Sequence, residues 1–373
     1  MLTLAEYRER YSQYRRDPHL LKLHASRPFI AVWDDHELTN DAYDVGAQNH
    51  QPATEGDWTA RRLIAAQVWH EFLPARLPAG RTSLEVYRSF KIGSLVNLVM
   101  LETRINKAKQ LSLTDPKYYG LGPSGPVLDA SKFMADYLDP ERGTIGDKQL
   151  QWVASEVVAD TRTWQFIGSS VLMGKIQLPL EMMGAIATLG SVNSSDMMAL
   201  FTAVSEFQKV QAEMVQVKNR VDAGTATATD QARLANPLPY NFDSWDGYPI
   251  EREKLYAVLK GKNVITTAGD THNAWMCKLH DAQGNLIGTE MATMSVSSPG
   301  FEGLFTDKSL RDGFISATTY LVDELEYLEG ANRGFLTVEF TPSEVTGTWT
   351  TVDTVRSTDY KTEVVKTAKV QPN

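Results

Sequence analysis

Cysteine is nearly absent. The 373 residues hold one, Cys277, so no disulfide can close within the chain, and a lone thiol identifies no redox compartment. Long apolar runs are missing: no stretch of about 18 apolar residues occurs, so no membrane-spanning helix is expected. The opening residues MLTLAEYRERYSQYRR lack the apolar core of a secretion signal. Positive charge is in deficit, with 37 Lys and Arg against 46 Asp and Glu and a formal net charge of -9. A protein that tracks a nucleic-acid backbone needs basic patches, so nucleic acid is not an expected partner. There is no Gly-x-Ser-x-Gly elbow for a serine nucleophile and no P-loop for a nucleotide. Internal repeats and low-complexity tracts are missing too.

The composition is otherwise that of an ordinary folded protein, 42% hydrophobic and 22% charged. The length suffices for a sizeable core in one large or two smaller domains. Residues 3–16 read as a helix. Asp17-Pro18 caps and starts a second, which ends before Pro28. The apolar run 28–35 reads as a buried strand broken by two aspartates. Residues 57–73 place Trp58, Ala65, Val68, Trp69 and Phe72 near helical spacing. Residues 84–104 read as two strands around a turn at Lys91–Gly93, and 105–142, rich in Gly, Pro and Tyr, as a surface loop. A helix is expected over 146–163 and a strand over 164–173. The Met-, Ala- and Gln-rich stretch 180–233 reads as helices inserted into the frame. Strand character returns at 262–272, 288–300, 334–340 and 346–354. Strands and helices alternate before a β-rich tail, which points to a layered α/β architecture.

Two clusters carry chemistry. The first is Trp33-Asp34-Asp35-His36-Glu37, with Asn40 and Asp41 just after. The second is Gly269-Asp270-Thr271-His272-Asn273. Each follows an apolar run, and ligands in α/β folds bind beyond the carboxyl ends of strands. Carboxylate oxygen and imidazole nitrogen suit hard and borderline metals. Acids packed as closely as Asp34, Asp35 and Glu37 repel unless a cation or partner offsets them. The bland alternative is a pair of solvated turns, with Asp34 or Asp35 capping a following helix. His19, His24, His50, His70 and His280 stand apart from both clusters and read as surface or packing histidines. Cys277, in the run Trp-Met-Cys-Lys-Leu, reads as a core thiol.

The residues also match a family. PFIAVWDDHELTND resembles the Pro-x-Ile-x-x-Trp-Asp-Asp-His-Glu signature of the alkaline phosphatase D (PhoD-like) metallophosphoesterases. In the same order, YRSFKIGSLVNLVMLETR is similar to the family's strand pair ending in Asp-Thr-Arg. IGDKQLQWV resembles its Gly-x-x-Gln-x-x-Trp helix start, and DSWDGYPIERE its Trp-Asp-Gly-Tyr segment. ITTAGDTHNAW resembles its Gly-Asp-x-His motif, and MSVSSPGFE its Ser-Pro-Gly strand end. The set spans about residues 10–340.

The resemblance implies one metallophosphoesterase domain over 1–373, an α/β/β/α sandwich. It implies metal-dependent hydrolysis of small phosphate mono- and diesters, with Ca²⁺ and Fe³⁺ as cofactors. Asp35, Asn40, Asp270 and His272 fall on the family's metal-site positions. Asp34 and His36 are left as metal ligands, phosphate contacts or groups that hold the ligands in place. An exported, periplasmic or secreted, product is implied for the intact gene. Three departures stand out. Residues 178–236 are longer than the family's usual connection and read as a helical insertion within the domain. The family's earlier Gly-Asp-x-x-Tyr motif has no counterpart here, so the expected domain is N-terminally incomplete, and a catalytically inactive binding fragment is the alternative to an enzyme. The Asp-Thr-Arg position reads Glu102-Thr103-Arg104.

Overall fold

A computed structural model describes residues 1–122, 125–193 and 196–372. The chain divides into two units: Met1–Ser170 with Tyr248–Leu259, and Val171–Gly247 with Lys260–Asn373.

In the first unit, local chemistry sets the helix starts. Thr3 and Glu6 form a reciprocal capping box at the helix Leu4–Tyr14. Asp17 caps Pro18–Ser26, where proline occupies the first turn and so loses no hydrogen bond. Asp57 caps Trp58–Phe72. The buried face of that last helix packs with Tyr7, Trp33 and Leu38 into one core. The Trp33 and Trp69 rings meet edge-on at 5.2 Å, a favoured aromatic geometry. Strands Arg88–Ile92 and Val96–Met100 form an antiparallel hairpin, and its turn contains Gly93 at φ 54°. Val96–Met100 also pairs in parallel with Trp164–Gly168. Between these parallel strands the chain passes through the helix Gly146–Val157, which buries Gln149, Val153 and Val157 one turn apart. The start of this helix is held by Glu251, on the helix Pro249–Leu259. Its carboxylate accepts the N–H groups of Thr144, Ile145 (3.0 Å) and Gly146 (2.7 Å).

In the second unit, Val264–Thr267 runs parallel to Leu286–Ala292. Ala274–His280 lies antiparallel to Leu286–Ala292 on one side and to Leu325–Glu329 on the other. A second sheet is fully antiparallel, in the order Arg333–Phe340, Val345–Val352, Thr362–Val370. Its middle strand alternates buried and half-buried residues, as a strand with one covered face must. The Trp349 indole N–H donates to the Ala292 carbonyl at 2.9 Å and ties the two sheets together. The region 180–233 is helical as expected, in the helices Leu180–Ser191, Met197–Asp222 and Ala228–Leu234. Phe207 packs against Phe305 and Phe314, so the long helix is part of this unit's core.

The mixed α/β class is as the sequence suggests, but two local expectations fail. Residues 28–35 form no strand. The Ala31 carbonyl accepts the Arg88 guanidinium (2.6 Å) instead of a neighbouring N–H, and Phe29 and Ile30 are 54% and 38% exposed. The stretch 105–142 is not only loop: it holds the hairpin Tyr119–Gly122/Gly125–Leu128 and the helix Ala130–Tyr137. That helix is short and is fixed by Phe133 packing on Tyr118 at 5.0 Å, a contact invisible to periodicity. The strand Ala274–His280 and the helix Lys308–Leu321 were not apparent in the sequence.

Candidate functional site

The first cluster sits on a turn rather than at a strand end. The Leu38 N–H closes this turn on the Asp35 carbonyl at 2.8 Å, and Trp33 anchors it in the core. The Trp33 indole N–H donates to Glu102 Oε1 at 2.9 Å. The same oxygen accepts the backbone N–H groups of Arg104 (2.7 Å) and Ile105 (2.9 Å). Gln149 clamps the Glu102 backbone from both sides, accepting its N–H at 2.9 Å and donating to its carbonyl at 2.7 Å. With its backbone so fixed, Arg104 presents Nε to Asp34 Oδ1 at 2.5 Å. The Asp34 N–H donates to Glu37 Oε2 at 2.8 Å. Burial pushes the Glu37 and Glu102 carboxyls above the usual carboxylate range.

Asp35 is 4% exposed. Its Oδ2 accepts the Asp41 N–H at 2.8 Å, and its Oδ1 lies 4.0 Å from His36 Nε2. Asp41 is in the left-handed region at φ 52° and accepts Gln110 Nε2 at 3.0 Å. Asn40 donates Nδ2 to Gln48 Oε1 at 2.5 Å, which orients its own amide oxygen away from that partner. The His36 side chain is 71% exposed. Asp34, Asp35, His36 and Asn40 are thus brought together, but in different roles. Asp34 is spent on Arg104, Asp35 is buried with one oxygen directed to His36, and His36 is open to solvent.

The second cluster follows the strand Val264–Thr267. The Thr271 N–H donates to the Gly269 carbonyl at 2.7 Å. This closes a three-residue turn around Asp270, whose φ is 62°, a rare and strained arrangement. His272 is also left-handed, at φ 63°. Two such non-glycine residues so close together mark stored backbone strain. The surroundings impose it. The Thr293 N–H donates to the Ala268 carbonyl (2.9 Å) and the Ser295 N–H to the His272 carbonyl (3.1 Å). Trp275 Nε1 donates to Thr271 Oγ1 at 2.8 Å. His272 Nδ1 meets the Pro299 carbonyl at 2.8 Å. A carbonyl only accepts, so Nδ1 carries a proton, which in a neutral ring leaves the lone pair on Nε2, the tautomer of a metal-ligating histidine. Asn241 Nδ2 lies 3.5 Å from Asp270 Oδ2. The Tyr240 hydroxyl is pushed up by burial and by the Asp270 charge.

Sequence reasoning about the two clusters missed the residues that hold them: Glu102, Arg104, Gln149, Asn241 and Pro299. Each lies in one of the quoted motifs or beside it, so the signal was present, but the pairing of motif with motif was not. Glu102, where the family motif has aspartate, reaches both Trp33 and the Arg104 N–H.

With the geometry in view, comparison with known proteins is direct. The chain belongs to the PhoD-like phosphatase family, whose model matches residues 1–349. It is 26% identical to alkaline phosphatase D of Bacillus subtilis (strain 168) over 310 residues, 80% of this chain and 41% of that protein. A solved structure of PhoD shares the fold, with a TM-score of 0.69 at 22% identity, covering 100% of this chain and 58% of that one. The chain therefore spans about half the length of the relatives it matches. Among the described residues no helix is long and apolar enough to cross a membrane.

Proposed function

We propose that this protein is a metal-dependent hydrolase of phosphate mono- and diesters, with Asp35, Asn40, Asp270 and His272 as metal ligands. The observation that carries this reading is His272. Its backbone is held at positive φ and its Nδ1–H is tied to the Pro299 carbonyl, an arrangement that costs stability and leaves Nε2 as a ligand. The other donors, two carboxylates and an amide oxygen, are the types that calcium and ferric iron take, and we assign those two ions. Bound there, they would supply positive charge at the phosphoryl oxygens and lower the pKa of a water.

The remaining residues orient and exchange protons. Asp34, fixed by Arg104, keeps the turn rigid, so that the buried Asp35 carboxylate presents a defined oxygen. His36, exposed beside Asp35, is the group that meets the phosphate ester and moves a proton at Nε2.

The test is metal content by mass spectrometry on the purified chain, run beside hydrolysis of p-nitrophenyl phosphate and bis-p-nitrophenyl phosphate. Bound metal with turnover that is lost in His272→Ala is the expected result. A metal-free chain without turnover, even after incubation with both ions, would replace the enzyme by a non-catalytic binding protein.

A further inference from the structure

A cavity of about 300 Å³ opens beside the first cluster, with His36 and Glu37 forming one wall. The other walls are Tyr11, Tyr14, Leu20, Phe29 and Leu73, from the first two helices, the irregular segment after them and the end of the helix Trp58–Phe72. Arg10 and Arg15 stand at the same cavity. Arg15 is anchored through Nη2 to the Phe72 carbonyl at 2.9 Å. Phe29 and Tyr14 are 54% and 63% exposed, although Phe29 is held in place by the His24 ring at 4.2 Å. Large apolar side chains left partly in water beside two guanidinium groups suit a ligand with an apolar body and an anionic end. The size admits an alkyl or aryl group.

We propose that this cavity is a specificity subsite that takes the apolar substituent of a phosphate diester, with the phosphoryl group at His36. The inference rests on the phosphoesterase reading, because it is His36 that joins cavity and cluster. A substituent long enough to fill the cavity is favoured over a methyl group.

The test keeps the leaving group constant and compares hexyl p-nitrophenyl phosphate with methyl p-nitrophenyl phosphate. The hexyl ester is expected to show a kcat/KM higher by about tenfold or more. Leu20→Trp, which fills the cavity, is expected to abolish that preference while leaving the methyl ester unchanged. Tyr14→Ala, which opens an exposed wall, serves if Leu20→Trp fails to fold, and it should at least halve the preference. Equal rates for the two esters in the unaltered protein would overturn the subsite, as would a preference that survives Leu20→Trp. If neither ester reacts, the phosphoesterase reading has failed, and calorimetry with hexylphosphonate and methylphosphonate decides the cavity alone. Tighter hexylphosphonate binding that Leu20→Trp removes would sustain it, and indifference to chain length would dismiss it.

Discussion

Asp270 and His272 adopt backbone conformations that cost an L-residue about 1–2 kcal/mol each, and their surroundings enforce this. Strain kept at two candidate ligands predicts that stability and function separate here. Asp270→Gly should leave the melting temperature within a few degrees, because glycine accepts positive φ but loses more entropy on folding. Turnover should fall by at least the ~100-fold that losing a mere supporter of a metal ligand can cost. Thermal melts and a chromogenic assay on the same preparation check both halves. Retained turnover would remove Asp270 from the ligand set. Glu102 behaves in the opposite way. Its carboxylate serves Trp33, Arg104 and Ile105, so Glu102→Gln sets an amide donor against an N–H. The expected cost is about 2 kcal/mol, read by urea denaturation.

Elements in this protein are positioned by carboxylates that reach across long sequence distances. The helix Gly146–Val157 has no side-chain cap from its own N-cap residue, Ile145. Glu251 satisfies its first N–H groups instead, and Gly143 gives the carboxylate room, since a Cβ there would lie 2.7 Å from Glu251 Oε1. Glu251→Gln should destabilise the protein by about 2 kcal/mol, through one lost charge-assisted bond and a mismatched amide. Gly143→Ala should act in the same direction by displacing the carboxylate. Hydrogen exchange at the amides of Ile145 and Gly146 would show whether the loss is at this helix start. Gln149, one turn further on, holds the Glu102 backbone, so loosening at the helix start should also relax the Asp34–Arg104 pair.

Across the molecule, many carboxylates are held as anions by partners. Glu85 is one. Burial works to raise its pKa, but the Lys148 ammonium with the Thr82 N–H and hydroxyl outweigh it and bring the value to about 2. Glu71 is drawn to about 2 by Arg8 and Gln67. Asp230 and Asp281 are also lowered. A carboxyl with a depressed folded pKa adds stability above its unfolded value and loses it as pH falls through the folded value. Stability should therefore drop between about pH 4.5 and about pH 2 for Glu85. Glu85→Gln should flatten that slope, and about 1 M salt should shrink the difference, because Lys148 is exposed. Metal removal gives a second global readout. If the proposed ligands hold ions, chelation should lower the melting temperature and re-addition restore it. About 2.7 kcal/mol is at stake when free metal is 100 times its dissociation constant.

The sequence by itself determined whatever is settled within a few residues. Thr3, Asp17 and Asp57 announce helices because their side chains satisfy the N–H groups two or three positions on. The alternation in Val345–Val352 announces a strand with one covered face. The two polar clusters are legible as candidates through residue type alone. Tertiary structure decided the rest, because the deciding partners are far apart in the chain. In the segment 28–35, which forms no strand, the Ala31 carbonyl finds its donor in Arg88, 57 positions away. The His272 tautomer is set by a carbonyl 27 residues later. Asp34 is oriented by Arg104, 70 residues on, through a glutamate that also holds Trp33. Local pattern carries no information about such pairings. They arise only when the chain closes on itself and each buried donor must find an acceptor.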